Sequence, residues 1–114
     1  MFYFGDTQMI TFDDFKKIEI KTAIIKEVKE HPNADKLYVL TLDLGDEERQ
    51  CVAGVRLYYE KKTLVGKQVA VITNLEPVTI RGIKSSAMIL AAKDEETLSM
   101  VVMDKQVKNG LNVT

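Results

Sequence analysis

The chain has 114 residues, 46% hydrophobic and 29% charged, the balance of an ordinary soluble globular domain too short for a second core. Sixteen Lys/Arg against seventeen Asp/Glu give a formal net charge of −1, which argues against coating nucleic acid by bulk charge but leaves room for a local basic face. No apolar run approaches the roughly 20 residues that span a bilayer, and a single cysteine excludes an intramolecular disulfide, as suits a cytoplasmic protein.

The opening "MFYFGDTQM" lacks a basic n-region, so no signal peptide is expected. "ITFDDF" at 10–15 predicts a short helical turn, capped by Thr11 with Asp14 three positions on. The next segment alternates with period two. Ile18, Ile20, Thr22 and Ile24 fall on one face, and Lys17, Glu19 and Lys21 on the other, which predicts a half-buried strand. The phase slips after Ile24, as a bulge or strong bend would require.

"HPNAD" breaks that strand: Pro32 lacks a donor, Asn33 tolerates turn conformations, and Asp35 can bond nearby amides. "YVLTLDLG" predicts a second strand with Tyr38, Leu40, Leu42 and Leu44 on one face. A hairpin turning at Gly45-Asp46 leads into a third strand, "RQCVAGV". "RLYYEKKTLVG" at 56–66 reads as a short helix ended by Gly66. "KQVAVITNL" is a fourth strand, "EPVTIRGIKSS" a long connection, "AMILAAK" a fifth strand, "TLSMVVM" a sixth, and "DKQVKNGLNVT" a turn and tail. The acidic runs at 46–48 and 94–96 read as solvated turns.

Three strands, a short helix and two more strands form the plan of an all-β OB-fold, a five-stranded Greek-key barrel. Residues 16–92 would form the barrel of a single 1–114 domain, with extra elements at both ends. An SH3-like barrel, which places its short helix elsewhere, is the alternative.

OB-folds bind oligonucleotides with the strand 2–3 face and the loops joining strands 1–2 and 4–5. Here those loops are "HPNADK" and "EPVTIRGIKSS". Lys36 stands at the mouth of the first; Arg81, Lys84, Ser85 and Ser86 stand in or beside the second. Lysine and arginine neutralise phosphates, and serine hydroxyls bond phosphate, sugar or base edges. Each position also has a plainer reading. Lys36 and Arg81 can be solvated cations, Ser85 and Ser86 can satisfy backbone groups at a strand entry, and Met88 can be core. Tyr58 and Tyr59 can stack on bases or pack the helix. Gly54 suggests a close backbone approach within a strand, and Gly82 a turn of positive φ.

His31 is the chain's single histidine, and no cysteine lies within ligand spacing of it, so a zinc site is not expected. Cys51 is expected to be buried and inert. Phosphate-cradling glycine loops, nucleophile elbows and paired histidine ligands are missing from the sequence. The expectation is a non-enzyme with no cofactor and no metal.

The segments "DDFKKIEIKTAII", "HPNADKL", "LDLGDEERQCVAGV", "LVGKQVAVITNLEP" and "RGIKSSAMILAA" resemble the tRNA-binding domain family. That family includes stand-alone tRNA-binding proteins, the C-terminal domain or beta subunit of methionyl-tRNA synthetase, and the domain of endothelial monocyte-activating polypeptide. The resemblance runs from about Ile10 to the C-terminus, and "NLEP" followed by "RGIKSSAM" is its most specific part. It implies an OB-fold that grips structured tRNA by shape, with RNA contacts carried onto Lys36, Asn74, Arg81, Ser85 and Met88. It also implies a homodimer, and methionyl-tRNA synthetase as a partner. Where several members carry basic residues after the proline of "NLxP", this chain has Val78 and Thr79. A branch of the family resembling CsaA-type proteins is implicated in peptide-binding chaperone work linked to secretion, and the weakened "EPVTI" loop fits that alternative.

Segments 1–15 and 93–114 lie outside the minimal barrel and carry Phe2, Tyr3, Phe4, Met9, Ile10, Leu98, Met100, Val101, Val102 and Met103. Burying them between two chains would give two-fold symmetry; folding both ends over the barrel's own open edge is the alternative. Lys36 and Arg81 are expected on one rim of the barrel.

Overall fold

Strand β1, Ile20–Glu30, pairs with two different neighbours along its length. In this computed structural model, which describes residues 8–114, its first half runs antiparallel to β4 (Gln68–Ile72) and its second half antiparallel to β2 (Tyr38–Asp43). A strand shared in this way must bend. The register to β2 slips between Ile25 and Glu27, which makes Lys26 the extra residue of a β-bulge. The phase slip expected after Ile24 is this bulge.

The bulge also decides which side chains face inward. Ala23 and Ile25 are fully buried and Val28 nearly so, whereas Ile18 is exposed and Ile20 and Ile24 are half-buried. The face expected to be the core one is therefore not the barrel's interior. Thr22, on that other face, is buried beneath the C-terminal tail. Its Oγ1 donates to Lys108 O (2.7 Å) and accepts from Leu111 N–H (3.0 Å). A strand covered on both sides cannot be oriented by alternation alone.

β2 behaves as its pattern predicts. Tyr38, Leu40 and Leu42, with Leu44 just beyond the strand, are all buried, opposite Cys51 and Ala53 of β3 (Glu48–Ala53). The predicted 56–66 helix is shorter than expected. Residues 55–59 form a turn in which Tyr58 and Tyr59 N–H both bond Val55 O, and only α2, Lys61–Leu64, is helical. Tyr59 sets this limit. Its carbonyl accepts from Tyr38 Oη (2.8 Å) and its own hydroxyl accepts from Met100 N–H (3.2 Å), so the half-buried ring is held against the core, and Glu60 beyond it is extended. Leu64 is fully buried, and Gly66, just past the helix, donates its N–H to Ile25 O. The helix between the third and fourth strands distinguishes the OB plan from the SH3-like one.

"EPVTIRGIKSS", expected as a plain connection, contains a hairpin: β5 (Val78–Ile80) against β6 (Ile83–Ser85), Ile80 opposite Ile83. Its two-residue loop has Arg81 at φ 52 and Gly82 at φ 91, the type I′ pattern whose twist matches that of the strands. The single fifth strand expected over 87–93 is split at Leu90. β7 (Met88–Ile89) pairs with β4, and β8 (Ala91–Lys93) pairs with β9 (Leu98–Met100). Beyond β9 the chain runs along the free part of β4, Val102 opposite Val69.

The main sheet has the order β3-β2-β1-β4-β7 and curls until its edges meet. There Ser86 N–H bonds Gln50 O and Val52 N–H bonds Ser85 Oγ, giving a nearly closed five-stranded barrel. The tail then fills the edge of β1 that β2 leaves free, with Gly110 N–H on Thr22 O and Val113 N–H on Ile20 O. Met100 lies in the core. At the other end, α1 (Phe12–Lys16) has the expected capping box between Thr11 and Asp14 but buries no residue of its own. Phe2, Tyr3 and Phe4 lie outside the described residues. A Cβ on Gly54 would make only an ordinary 3.7 Å contact with Leu37 Cδ2, so the close approach expected there is not needed.

Candidate nucleic-acid interface

The loop between β1 and β2, residues 31–37, is folded around its own backbone. His31 N–H bonds Leu37 O, and Leu37 N–H bonds Ala34 O. Arg56, just after β3, supports it from below: Nη1 reaches Ala34 O (3.4 Å) and Nη2 pairs with Glu30 Oε2 (3.2 Å). From the other side the β5–β6 hairpin arrives, and Arg81 Nη2 donates to Asn33 O (2.9 Å).

Lys36 and Arg81 therefore line one open cleft of about 460 Å³, with Asn33, Ala34, Asp35 and Leu37. Lys36 is exposed and makes no ion pair among the described residues. Lys84 is exposed on β6, opposite Thr79. The rim expected to gather residues 36 and 81 exists.

Of the other positions singled out from the sequence, Ser85, Ser86 and Asn74 are built into the fold and Met88 is not. Ser85 is 5% exposed, and its hydroxyl accepts from Val52 N–H and donates to Ala87 O. Ser86 gives both its N–H and its hydroxyl to Gln50 O. Asn74 accepts from Glu19 N–H (2.8 Å) and donates to Lys17 O (2.7 Å), stapling the lead-in to β1. Met88 is 44% exposed and shares a shallow apolar groove of about 170 Å³ with Val52, Leu75, Val78 and Ile80. Tyr59 is a packing residue, and Tyr58 is half-buried with the Lys93 ammonium 5.5 Å from its ring centre.

Three residues take structural roles that the sequence did not assign to them. Arg56 and His31 hold the first loop. Arg49 spans the barrel seam, with Nη1 on Thr73 O (2.5 Å) and Ser86 O (3.2 Å). Its Nε and Nη2 grip Glu47, which raises the guanidinium and holds the Glu47 carboxyl below the usual carboxylate range. A signal existed: Arg49 has the same parity as inward-facing Cys51 and Ala53. Cys51 is buried, and burial pushes its thiol up to about 11. Among the described residues no group of three or more His, Cys, Asp or Glu could hold a metal ion, and no helix is long and apolar enough to cross a membrane.

A small OB-type barrel with a cationic cleft between its strand 1–2 loop and a hairpin is the class of module that this geometry defines. The chain belongs to the family described as putative tRNA binding domain, which matches residues 20–112. A methionine–tRNA ligase of Pyrococcus abyssi is 49% identical over 109 residues, covering 96% of this chain and 15% of the ligase. Among solved structures, a protein related to methionyl-tRNA synthetase from Pyrococcus horikoshii superposes with a TM-score of 0.88 at 27% identity, covering 95% of this chain and 100% of that one. A CsaA chaperone protein from Picrophilus torridus superposes at 0.86 and 29% identity, over 93% of this chain and 100% of that one.

Proposed function

We propose that this chain is a non-catalytic, cytoplasmic module whose single domain, residues 1–114, binds structured tRNA by shape and phosphate contacts. Lys36, Arg81 and Lys84 meet the backbone, and Met88 offers an apolar surface to a base. Ser85, Ser86 and Asn74 serve the same site by holding the hairpin and the barrel rim. The observation that carries the reading is Arg81. An L-residue at φ 52 is disfavoured by roughly 1–2 kcal/mol, and asparagine or glycine suits that turn position better. The chain keeps an arginine there, exposed and beside Lys36, where a phosphate would meet both.

The likeness to methionine–tRNA ligases supports a partnership with methionyl-tRNA synthetase, as an accessory subunit or an appended domain. A homodimer is supported by apolar side chains that the chain leaves open at α1 and the barrel's flank: Met9 at 89%, Phe12 at 71%, Val101 at 43% and Val102 at 47% exposure. Sedimentation at micromolar concentration tests this; monomer mass would remove the dimer.

The second reading is a peptide-binding chaperone. The CsaA likeness and the apolar groove beneath Met88 favour it. Competition of tRNA against unfolded polypeptide separates the two. Salt-sensitive tRNA binding that polypeptide fails to displace supports the first reading, and absence of tRNA binding at low ionic strength overturns it.

A further inference from the structure

The chain's single histidine is 3% exposed, inside a loop whose other polar side chains face solvent. Both of its ring nitrogens are engaged. Asn33 N–H donates to Nδ1 at 3.0 Å, so the ring proton sits on Nε2, which lies 3.0 Å from Ile80 O and donates to it. Ile80 immediately precedes Arg81, and Arg81 returns to the first loop through Asn33 O. The contacts close a ring: imidazole to Ile80, along the chain to Arg81, across to Asn33, and back to the imidazole. The Arg81 side chain alone would be a loose tether, because a long side chain keeps its rotamer freedom. The imidazole instead bonds backbone to backbone across the gap. An apolar ring could fill the same space, but it would supply neither the acceptor nor the donor. The Asn33 amide and the Ile80 carbonyl would then each lose the bond to residue 31.

We propose that His31 is the positioning residue of the RNA site. It fixes the spacing between Lys36 and Arg81 by bonding the backbone of both elements that carry them, and it touches no RNA itself. This rests on the tRNA-binding reading above. Two cations held at one spacing bind a rigid phosphate backbone without ordering cost at the moment of contact; two cations on independently moving loops do not.

The test uses the full chain, bulk tRNA as probe, and affinity measured across a salt series. His31→Ala is expected to weaken binding about tenfold and to reduce the log–log salt slope by about 0.7–0.9, the share of one phosphate contact. His31→Asn, whose side-chain oxygen can accept from Asn33 N–H as Nδ1 does, recovers part of both. Lys36→Ala costs less in the His31→Ala background than in wild type, because residues acting through one arrangement are non-additive. Unchanged affinity and slope in a folded His31→Ala, or an undiminished effect of Lys36→Ala there, overturns the proposal. If His31→Ala does not fold, His31→Phe, which fills the space and supplies neither bond, carries the same comparison, and affinity and slope equal to wild type overturn it. Amide exchange without RNA gives an independent readout: Asn33 N–H exchanges faster in His31→Ala and near the wild-type rate in His31→Asn, and exchange equal in all three removes the anchor. A wild type that binds no tRNA overturns the reading beneath, and the exchange data then decide the loop anchoring separately.

Discussion

Val52 and Ser85 join the two edges of the barrel through one hydrogen bond, Val52 N–H to Ser85 Oγ at 3.0 Å, in a place from which water is excluded. Ser85 also reaches Ala87 O, so a single hydroxyl holds both the third strand and the chain entering β7. Removing it leaves a buried N–H with no partner. Ser85→Ala is expected to cost about 1–3 kcal/mol, read as a drop in the urea midpoint, while tRNA affinity of the folded fraction stays within about threefold. A large affinity loss at unchanged stability would instead make Ser85 a direct RNA contact.

Arg81 sets backbone strain against ligand binding. Arg81→Asn places a residue suited to the left-handed region at the first position of a type I′ turn. Stability should hold or rise by up to about 1 kcal/mol, the loss of the bond to Asn33 O offsetting part of the gain. Binding should weaken, and the salt slope should fall by about 0.7–0.9. Denaturant titration and salt-dependent binding on the same variant check both halves. Stability and affinity falling together would contradict the separation.

Lys36 makes no ion pair among the described residues, so its removal should leave the fold untouched, within about 0.5 kcal/mol. Lys36→Ala should nevertheless weaken tRNA binding and flatten the salt dependence, uniformly across tRNA species, as a phosphate contact would. A species-selective loss would point to base readout instead.

Cys51 predicts a pH effect. Burial raises its thiol from 9.0 to about 11 in the folded chain. Between those values the unfolded state has lost the proton and the folded state still holds it. Stability from this group is therefore full below about pH 9 and is lost as pH rises toward 11, by about 2–3 kcal/mol in all. Urea midpoints at pH 8.5 and 10.5, compared between wild type and Cys51→Ala, isolate that share from lysine and tyrosine titration. Parallel pH dependence in the two proteins would show that the buried thiol plays no part.

Gly110 holds the C-terminal tail. Its φ is +81, and a Cβ there would lie 2.3 Å from Leu44 O. Gly110→Ala should push the tail off the edge of β1, costing about 1–3 kcal/mol. Amide exchange at Thr22, whose N–H bonds Leu111 O, would report the detachment.

Much of this structure was legible locally. Tyr38, Leu40, Leu42 and Leu44 announced the inner face of β2 by strict alternation, and the misplaced Ile25 and Val28 announced the bulge at Lys26. The hairpin at Arg81-Gly82 was equally local, a two-residue turn between alternating triplets, and was missed only because the triplets are short. The cleft holding Lys36 and Arg81 followed from the order of elements, since an OB plan brings those loops together.

The first four strands and their order, the Gly45-Asp46 turn and the bulge are properties of the chain read alone, because turn chemistry and side-chain alternation act over a few neighbouring residues. Folding in three dimensions decided which face of β1 is interior, what the serines and Asn74 do, and how His31 and Arg49 are used. Those outcomes depend on partners far along the chain, such as Lys108 on Thr22, 86 residues away, and Ser85 on Val52. A polar side chain's role is set by which backbone group the closed barrel brings within 3 Å of it, and no local pattern encodes that distance.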